Sequence, residues 1–475
     1  MADTSAAQSV VDALNDAPLS RYHLRAVVTA GMGFFTDAYD LFVIGVALAL
    51  IKVEYHPSPL VIGLVGSTAL IAAFVGALVF GRLADVLGRK RVYGLEAAIM
   101  AVAAIATAFS PNLVWLIAWR FVLGVGIGGD YPVSAVLMSE YANRRDRGRL
   151  VSLVFSMQAL GLIAGPLVAL VILAVGTPHD IAWRILLGLG ALPALGVIYL
   201  RRRMPESPRY TARALGRERE AAEDLHRYAG RAVSGSPHRG PAARLSLAAF
   251  LTTPRYLVML LGTAGAWFFF DYAYYGNTIS SPIILRTVLP SASLIQATAI
   301  TLGIFTVCAA PGYVLAFLNV DRIGHRRLQL IGFAVMGLAF LLIGIVPRVT
   351  TLIVPFLALY GVSYLFTEFG PNTTTFVLAA ELYPVSARTT GHGVSAGMAK
   401  LGAFVGTLTF PLVNTGLGLP AVMLIASATA GLGLCVTLVL PEPSGRTLEE
   451  SGGELDGEPF AARLAPEASQ PVASC

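Results

Sequence analysis

Two charged side chains stand inside apolar runs where neither is easily accommodated. Asp271 lies in "WFFFDYAYYGN" and Lys400 in "SAGMAKLGAF", and an ionised group at the middle of a bilayer costs about 3 kcal/mol or more. A buried lysine calls for an anion, whereas an ionised Asp271 would repel one stripped of all its protons. An oxyanion that keeps its P–OH groups meets both demands, donating to the carboxylate and accepting from the amine. Phosphate has such protons near neutral pH; sulfate does not.

Other polar residues fall into register with this pair. Trp267, Asp271 and Tyr275 follow one another at i, i+4 and i+8, one stripe of a helix. Asp130 and Tyr131 follow "GVGIGG", and Gln158 sits in "FSMQALG". Adding 242 carries Asp130 onto Asn372 and Gln158 onto Lys400, so polar residues repeat as polar residues. The repeat sets Asp130, Tyr131 and Gln158 of one half opposite Asn372 and Lys400 of the other, with Asp130 facing a polar cavity. Asp271 and Lys400 are expected to meet there from opposite bundles. Asp37 and Asp40, in "GMGFFTDAYDLF", lie three apart on one helical face. Two such carboxylates cannot readily both ionise in a low dielectric, which leaves at least one able to carry a proton.

The elements that position these residues must be membrane helices. Of 475 residues 56% are hydrophobic and 13% charged, with a mean hydropathy of +0.70, too apolar for a water-soluble enzyme of this length. Twelve stretches can cross a bilayer, near 26–52, 58–80, 92–110, 113–139, 150–174, 182–200, 256–288, 293–318, 328–346, 350–380, 392–414 and 420–440. None shows the two-residue alternation of a barrel strand. Arginines crowd the alternate connections, so those loops and both termini are expected to be cytoplasmic, in a plasma or inner membrane. The polar stretch before the first span carries no cleavage pattern of a signal peptide. Gly124, Gly126 and Gly129 match G-x-G-x-x-G, but with no strand before them they read as a helix-packing face rather than a dinucleotide site. Cys308, Cys435 and Cys475 have neither metal nor redox spacing. No nucleophile–base arrangement, cofactor, metal or nucleic-acid partner is implied.

The chain divides as an N-terminal segment 1–22, a six-helix bundle 23–200, a central loop 201–255, a second six-helix bundle 256–442 and a disordered tail 443–475. "GRLADVLGRKR" is echoed by "NVDRIGHRR", matching Asp85 with Asp321 and Gly88 with Gly324 at an offset of 236. "SEYANRRDRG" is echoed by "AELYPVSAR", matching Glu140 with Glu381 and Arg147 with Arg388 at 241. Together with Arg89 and Arg322 these residues read as a gate that holds one conformation shut. Duplicated bundles with a ligand between them suit alternating access.

The loop motif "GRLADVLGRKR" resembles the major facilitator superfamily. The stretches "GFFTDAYDLFVI", "GIGGDYPVSAVLMSEYANRRDRG", "PESPRYT", "WFFFDYAYYGN" and "GPNTTTFVLAAELYPVSARTTGHGVSAGMAKLGAFVG" are similar, more narrowly, to its phosphate:proton symporters. That resemblance implies an all-α membrane protein of twelve helices in two pseudo-symmetric bundles, importing inorganic phosphate with protons and working as a monomer. It implies phosphate contacts at Tyr131, Gln158, Trp267, Asp271, Tyr275, Asn372 and Lys400, and proton-pathway carboxylates at Asp37, Asp40, Glu96 and Asp130. A proton-coupled sugar or organic-anion carrier is the alternative, since "PESPR" also occurs in sugar porters; a phosphate receptor that does not transport is another. A cation carrier would be opposed by Lys400.

Overall fold

In lipid every backbone N–H and C=O must be satisfied within its own segment or within a closed barrel. The computed structural model describes residues 10–229 and 245–454, and within them the chain is helical throughout, with no strand. The spans are α1 (Arg21–Tyr55), α2 (Leu60–Leu87), α3 (Arg89–Ala108), α4 (Leu113–Tyr141), α5 (Arg147–Ala174) and α6 (His179–Arg202). After the central loop come α7 (Pro254–Ile279), α8 (Leu294–Ile323), α9 (His325–Ile345) and α10 (Ile353–Glu381). The helix Arg388–Thr437 is two spans, because Gly418 breaks it at φ 82° just before Pro420, giving α11 (388–417) and α12 (419–437). The major facilitator arrangement of twelve helices expected from the sequence is therefore present.

The halves meet along two pairs, α2 with α11 and α5 with α8, which exchange under the internal repeat. Where α2 crosses α11, a Cβ on Gly81 would stand 2.8 Å from the Thr389 carbonyl, so this seam needs glycine. The glycines of "GVGIGGD" do pack helices: side chains on Gly124 or Gly126 would strike the backbone of α2 or α3.

The repeat extends further than the sequence reading took it. Gly88 and Gly324 have the same left-handed backbone, φ 99° and 97°, and each turns the chain into the next span. Beside Gly88, Glu206 accepts from the Lys90 amide at 3.1 Å; beside Gly324, Glu442 accepts from the His325 and Arg326 amides at 2.9 and 3.0 Å. Glu206 and Glu442 are again 236 residues apart. Each carboxylate thus caps a helix start, where unpaired N–H groups favour negative charge.

Two expectations need correction, the bounds of the central loop and the disorder of the whole tail. Arg201 and Arg202 belong to α6, not to the central loop, and α7 begins at Pro254. Within the loop the stretch "LGREREAAEDLHRYAG" holds the helix Glu218–Ala229, whose Ala221, Ala222 and Leu225 pack on Val10, Ala13 and Leu14. The tail is ordered to residue 454: Thr447 caps the helix Leu448–Gly452, Glu449 pairs with Arg209 at 2.7 Å, and Glu454 pairs with Arg213 and Arg388 at 3.3 and 3.5 Å. Composition predicts disorder, but these acids find Arg209 and Arg213 of the central loop and Arg388 of α11. The rest of the expected tail, 455–475, lies outside the described residues.

Two outcomes follow. Gly324→Ala should destabilise the protein by about 1–3 kcal/mol, since it forces a side chain into a left-handed backbone against Glu442, whereas Gly431→Ala, with open space at its Cβ, should not; melting in detergent micelles checks the pair. Burial would raise the carboxyl of Glu449, but Arg209 and then Arg388 outweigh it and hold it down at about 2, below the ordinary 4.5. Its contribution is therefore present above pH 4.5 and lost as pH falls toward 2, so Glu449→Gln at neutral pH should make the tail as protease-sensitive as strong acid makes it in the wild type.

Candidate functional site

Glycines set the central pair. On α11, side chains at Gly402 or Gly406 would run into the Phe268 or Tyr272 carbonyls of α7, so the two helices lie backbone to backbone over the turns that follow Lys400. Lys400 Nζ reaches Asp271 Oδ2 at 3.1 Å and donates to the Tyr275 hydroxyl at 2.8 Å. It also stands 4.4 and 4.3 Å from the ring centres of Tyr131 and Tyr275, close enough for cation–π attraction. Lys400, Asp271, Tyr131 and Tyr275 are each 1% exposed. The pair exists as expected but does not bridge the halves, for both residues belong to the C-terminal bundle. Tyr131 of α4 is what the N-terminal bundle brings to the amine.

Breaks in two helices present the amides. The α5 helix is interrupted at Met157 and restarts with Gln158; α10 is interrupted at Gly370 and restarts with Pro371 and Asn372. Asn372 Nδ2 lies 3.3 Å from Gln158 Oε1 and donates to the Tyr313 hydroxyl at 2.8 Å, and Tyr313 donates to Gln158 Oε1 at 2.6 Å. This cluster does span the halves, joining α5 to α8 and α10. Asn372 also donates to the carboxylate of Glu368, one turn back on α10. Sequence reading missed Tyr313 and Glu368. Each lies in an apolar span, as Asp271 does, but neither belongs to a repeated or quoted stretch.

Aromatic rings close the cluster on two sides. Toward the Arg-rich end, Trp267 and Phe376 pack on Tyr131 with ring centres 6.1 and 6.4 Å away, and Phe34 and Phe155 complete the layer. Toward the other end, Phe42 of α1 stacks on Tyr275 at 5.5 Å and meets Tyr274 and Phe305. The site is therefore occluded from both faces.

The carboxylates of the N-terminal half divide differently from the expectation. Asp130 does not face the polar cluster. Arg201 of α6 holds it at 2.5 Å and Glu96 at 2.8 Å, with Ser134 donating to Asp130 at 2.6 Å. This triad lies inside the N-terminal bundle, and Arg201 escaped notice because it was assigned to the loop. Asp40 points to α6, where a Cβ on Gly190 would collide with it, and Arg120 of α4 is its charged neighbour. Asp37 is fully buried with no hydrogen-bond partner on either oxygen, and the charges acting on it are Asp130, Arg201, Asp40 and Lys400.

At the Arg-rich end the gate residues interlock. Glu140 takes Arg89 of its own half at 3.0 Å and Arg388 of the other at 3.1 Å. Glu381 lies 3.7 Å from His325 of its own half and 4.0 Å from Arg147 of the other. Asp85 pairs with Arg89 at 3.2 Å and caps α11 through the Thr390 amide at 2.6 Å; Asp321 caps α5 through the Arg149 amide at 2.8 Å. Each half thus caps a helix of the other. The exception is Arg322, which is exposed and forms no ion pair among the described residues. Its expected place is taken by His325, the true counterpart of Arg89 at an offset of 236.

Comparison with known proteins agrees with this architecture. Residues 26–453 match the family model "Sugar (and other) transporter". A probable inorganic phosphate transporter 1-6 of Arabidopsis thaliana is 37% identical, covering 96% of this chain and 98% of the relative. The low affinity inorganic phosphate transporter 4 of Petunia hybrida is 36% identical over 94% of each. This chain belongs to the phosphate transporter family of the major facilitator superfamily. Among solved structures, the proton:xylose symporter XylE bound to 6-bromo-6-deoxy-D-glucose superposes with a TM-score of 0.75 at 18% identity, covering 92% of this chain and 99% of that one. The partially occluded inward-open form of XylE from E. coli gives 0.70 at 19% over 88% and 97%. At such identity the likeness speaks for the fold alone.

In this transporter Glu140→Gln should loosen the Arg-rich end. Removing one member of a buried ionic cluster costs about 3–5 kcal/mol, and here the loss falls on the closed state. Spin labels on that end of the two bundles should move apart relative to wild type; an unchanged distance distribution would mean that the helix caps alone keep it closed.

Proposed function

We propose that this protein imports inorganic phosphate with protons across the plasma or inner membrane by alternating access, its Arg-rich end and termini facing the cytoplasm. The observation that carries the reading is one buried lysine tied to one buried aspartate, with the Gln158–Tyr313–Asn372 cluster donating and accepting nearby. Relatives over nearly the whole length are named inorganic phosphate transporters. Phosphate entering from outside would displace the carboxylate from part of its hold on Lys400, accept from Lys400, Tyr131, Tyr275 and the amides, and donate a P–OH to Asp271. Trp267 would wall the site beneath it.

Proton coupling follows from charge. Moving a bound anion through an occluded, low-dielectric state is costly unless charge enters with it, and Asp37, Asp40, Glu96 and Asp130 are the expected carriers. The Arg201 cluster means that protonation at Asp130 or Glu96 would loosen the hold on an arginine, which must then find another partner. Opening to the cytoplasm would require release of the Glu140 and Glu381 clusters. No bound cofactor is called for, and one chain suffices. A sugar carrier fits less well, because Asp271 and Lys400 offer hydroxyls a charged pair in place of neutral amides.

Uptake of radiolabelled phosphate into proteoliposomes should accelerate with external acid and fall at least tenfold in Lys400→Ala. Arsenate should compete and glucose should not. Uptake indifferent to the imposed proton gradient, or better competition by glucose, would remove the reading.

A further inference from the structure

Glu368 is buried completely beside the proposed anion site, and nothing so far gives it work. Its Oε2 accepts from Asn372, the residue that also reaches Tyr313 and Gln158, and the hydroxyls of Tyr313 and Tyr274 are its other hydrogen-bonding neighbours. No lysine, arginine or histidine lies within ion-pairing distance of it among the described residues. The ionisable groups that face it are Tyr313 from α8, Tyr274 and Asp271 from α7, and Tyr364 from its own helix. Every one is neutral or negative when it acts on Glu368. Lys400 of α11 is already held by Asp271 and Tyr275.

The charge count then decides the state in which an anion can bind. Lys400 and Asp271 cancel. With Glu368 ionised the empty site would be net negative, and a phosphate monoanion would add a second uncompensated charge within a region sealed by aromatic rings. With Glu368 protonated, the same anion enters a neutral site, and the carboxylic acid gains an O–H that can be donated.

We propose that Glu368 is a further proton-carrying residue of the phosphate site, which must hold a proton before the anion binds, so that phosphate affinity is linked to the protonation of this carboxyl. This rests on the phosphate reading above. The linkage is a simple protonation, carboxylate plus proton giving carboxylic acid, and the proton leaves to the cytoplasm after phosphate does.

The test measures binding of inorganic phosphate to the purified full chain in detergent between pH 5.5 and 8.5, by calorimetry in buffers of different ionisation heat. Wild type and Glu368→Gln meet the same phosphate speciation, so their difference reports the protein. The wild-type affinity should weaken at least tenfold more than that of Glu368→Gln between pH 6 and 8, and above the pH where the carboxyl of the empty site titrates the variant should take up close to one proton fewer per phosphate. Identical pH profiles and proton counts overturn the proposal. So does loss of binding in a folded Glu368→Gln at every pH, which would make the residue a contact rather than a proton carrier. Should the variant fail to fold, infrared difference spectra of the wild type with and without phosphate replace it: a gained protonated-carboxyl band near the alkaline end supports the proposal and its absence overturns it. A wild type that binds arsenate and phosphate nowhere in this range sinks the phosphate reading itself, and the Glu368 assignment with it.

Discussion

An amine buried among apolar helices must be neutralised where it stands, and much of this molecule is arranged around that requirement. Lys400 satisfies it through Asp271 and two tyrosine rings. The contact is possible because Gly402 and Gly406 let α11 lie directly on α7, which brings two side chains 129 residues apart to 3.1 Å. Because the partner is internal, an arriving anion does not meet an unpaired cation. On the proposed reading it would compete for one, and affinity would depend on what else in the site can be made less negative. This is why an acid with no cation of its own, such as Glu368, matters more than its absence from any sequence motif suggests.

The duplicated chain applies the same rule at the Arg-rich end, but there the charges pair between halves. Glu140 is shared between Arg89 and Arg388, and Glu381 between His325 and Arg147, so each acid lies between a basic residue of its own half and an arginine of the other. Asp85 and Asp321 add helix caps across the same seam. The two clusters are not equal. The one around Glu140 uses two arginines at 3.0 and 3.1 Å, while that around Glu381 has a histidine and distances of 3.7 and 4.0 Å. On distance alone, the Glu381 side is the weaker of two otherwise equivalent closures.

The sequence was readable wherever a residue type conflicted with its surroundings. Asp271 and Lys400 in apolar runs, the twelve spans, and the doubled Asp–Gly–basic pattern all announced themselves through the cost of burial or through repetition. It was less readable where position had to be known to one residue. Arg201, the next-to-last residue of its helix, looks like loop because composition changes there. Arg322 looked like the gate residue because arginine matched arginine in kind, although alignment by Gly88 and Gly324 selects His325. Asp130 was placed in the cavity by a linear offset, which cannot say which side of a helix faces the other bundle. Asp271 and Lys400 were assigned to opposite bundles although both lie beyond residue 255. The amides meet with help that no periodicity shows: Asn372 follows a helix break at Gly370, and from there it reaches Gln158 at 3.3 Å across the halves.

The buried acids thus fall into two kinds. Asp130 and Glu96 share Arg201, which each holds by a direct ion pair, whereas Asp40 has Arg120 only as a more distant neighbour and no hydrogen-bond partner on either oxygen. Asp37 and Glu368 have no cation in contact, and Asp37 lacks even a hydrogen-bond donor. For these two the neutral form is the one that burial favours. A carrier that cycles protons needs groups whose two states are close in energy, and whose balance changes when the site opens to water or fills with an anion. Asp37, one helical turn from the Arg201 cluster on the N-terminal side, and Glu368, beside the amides on the C-terminal side, meet that condition from opposite halves. On the proposed reading, Asp130 and Glu96 differ in that a proton taken there would also weaken the Arg201 cluster that ties α3, α4 and α6 together.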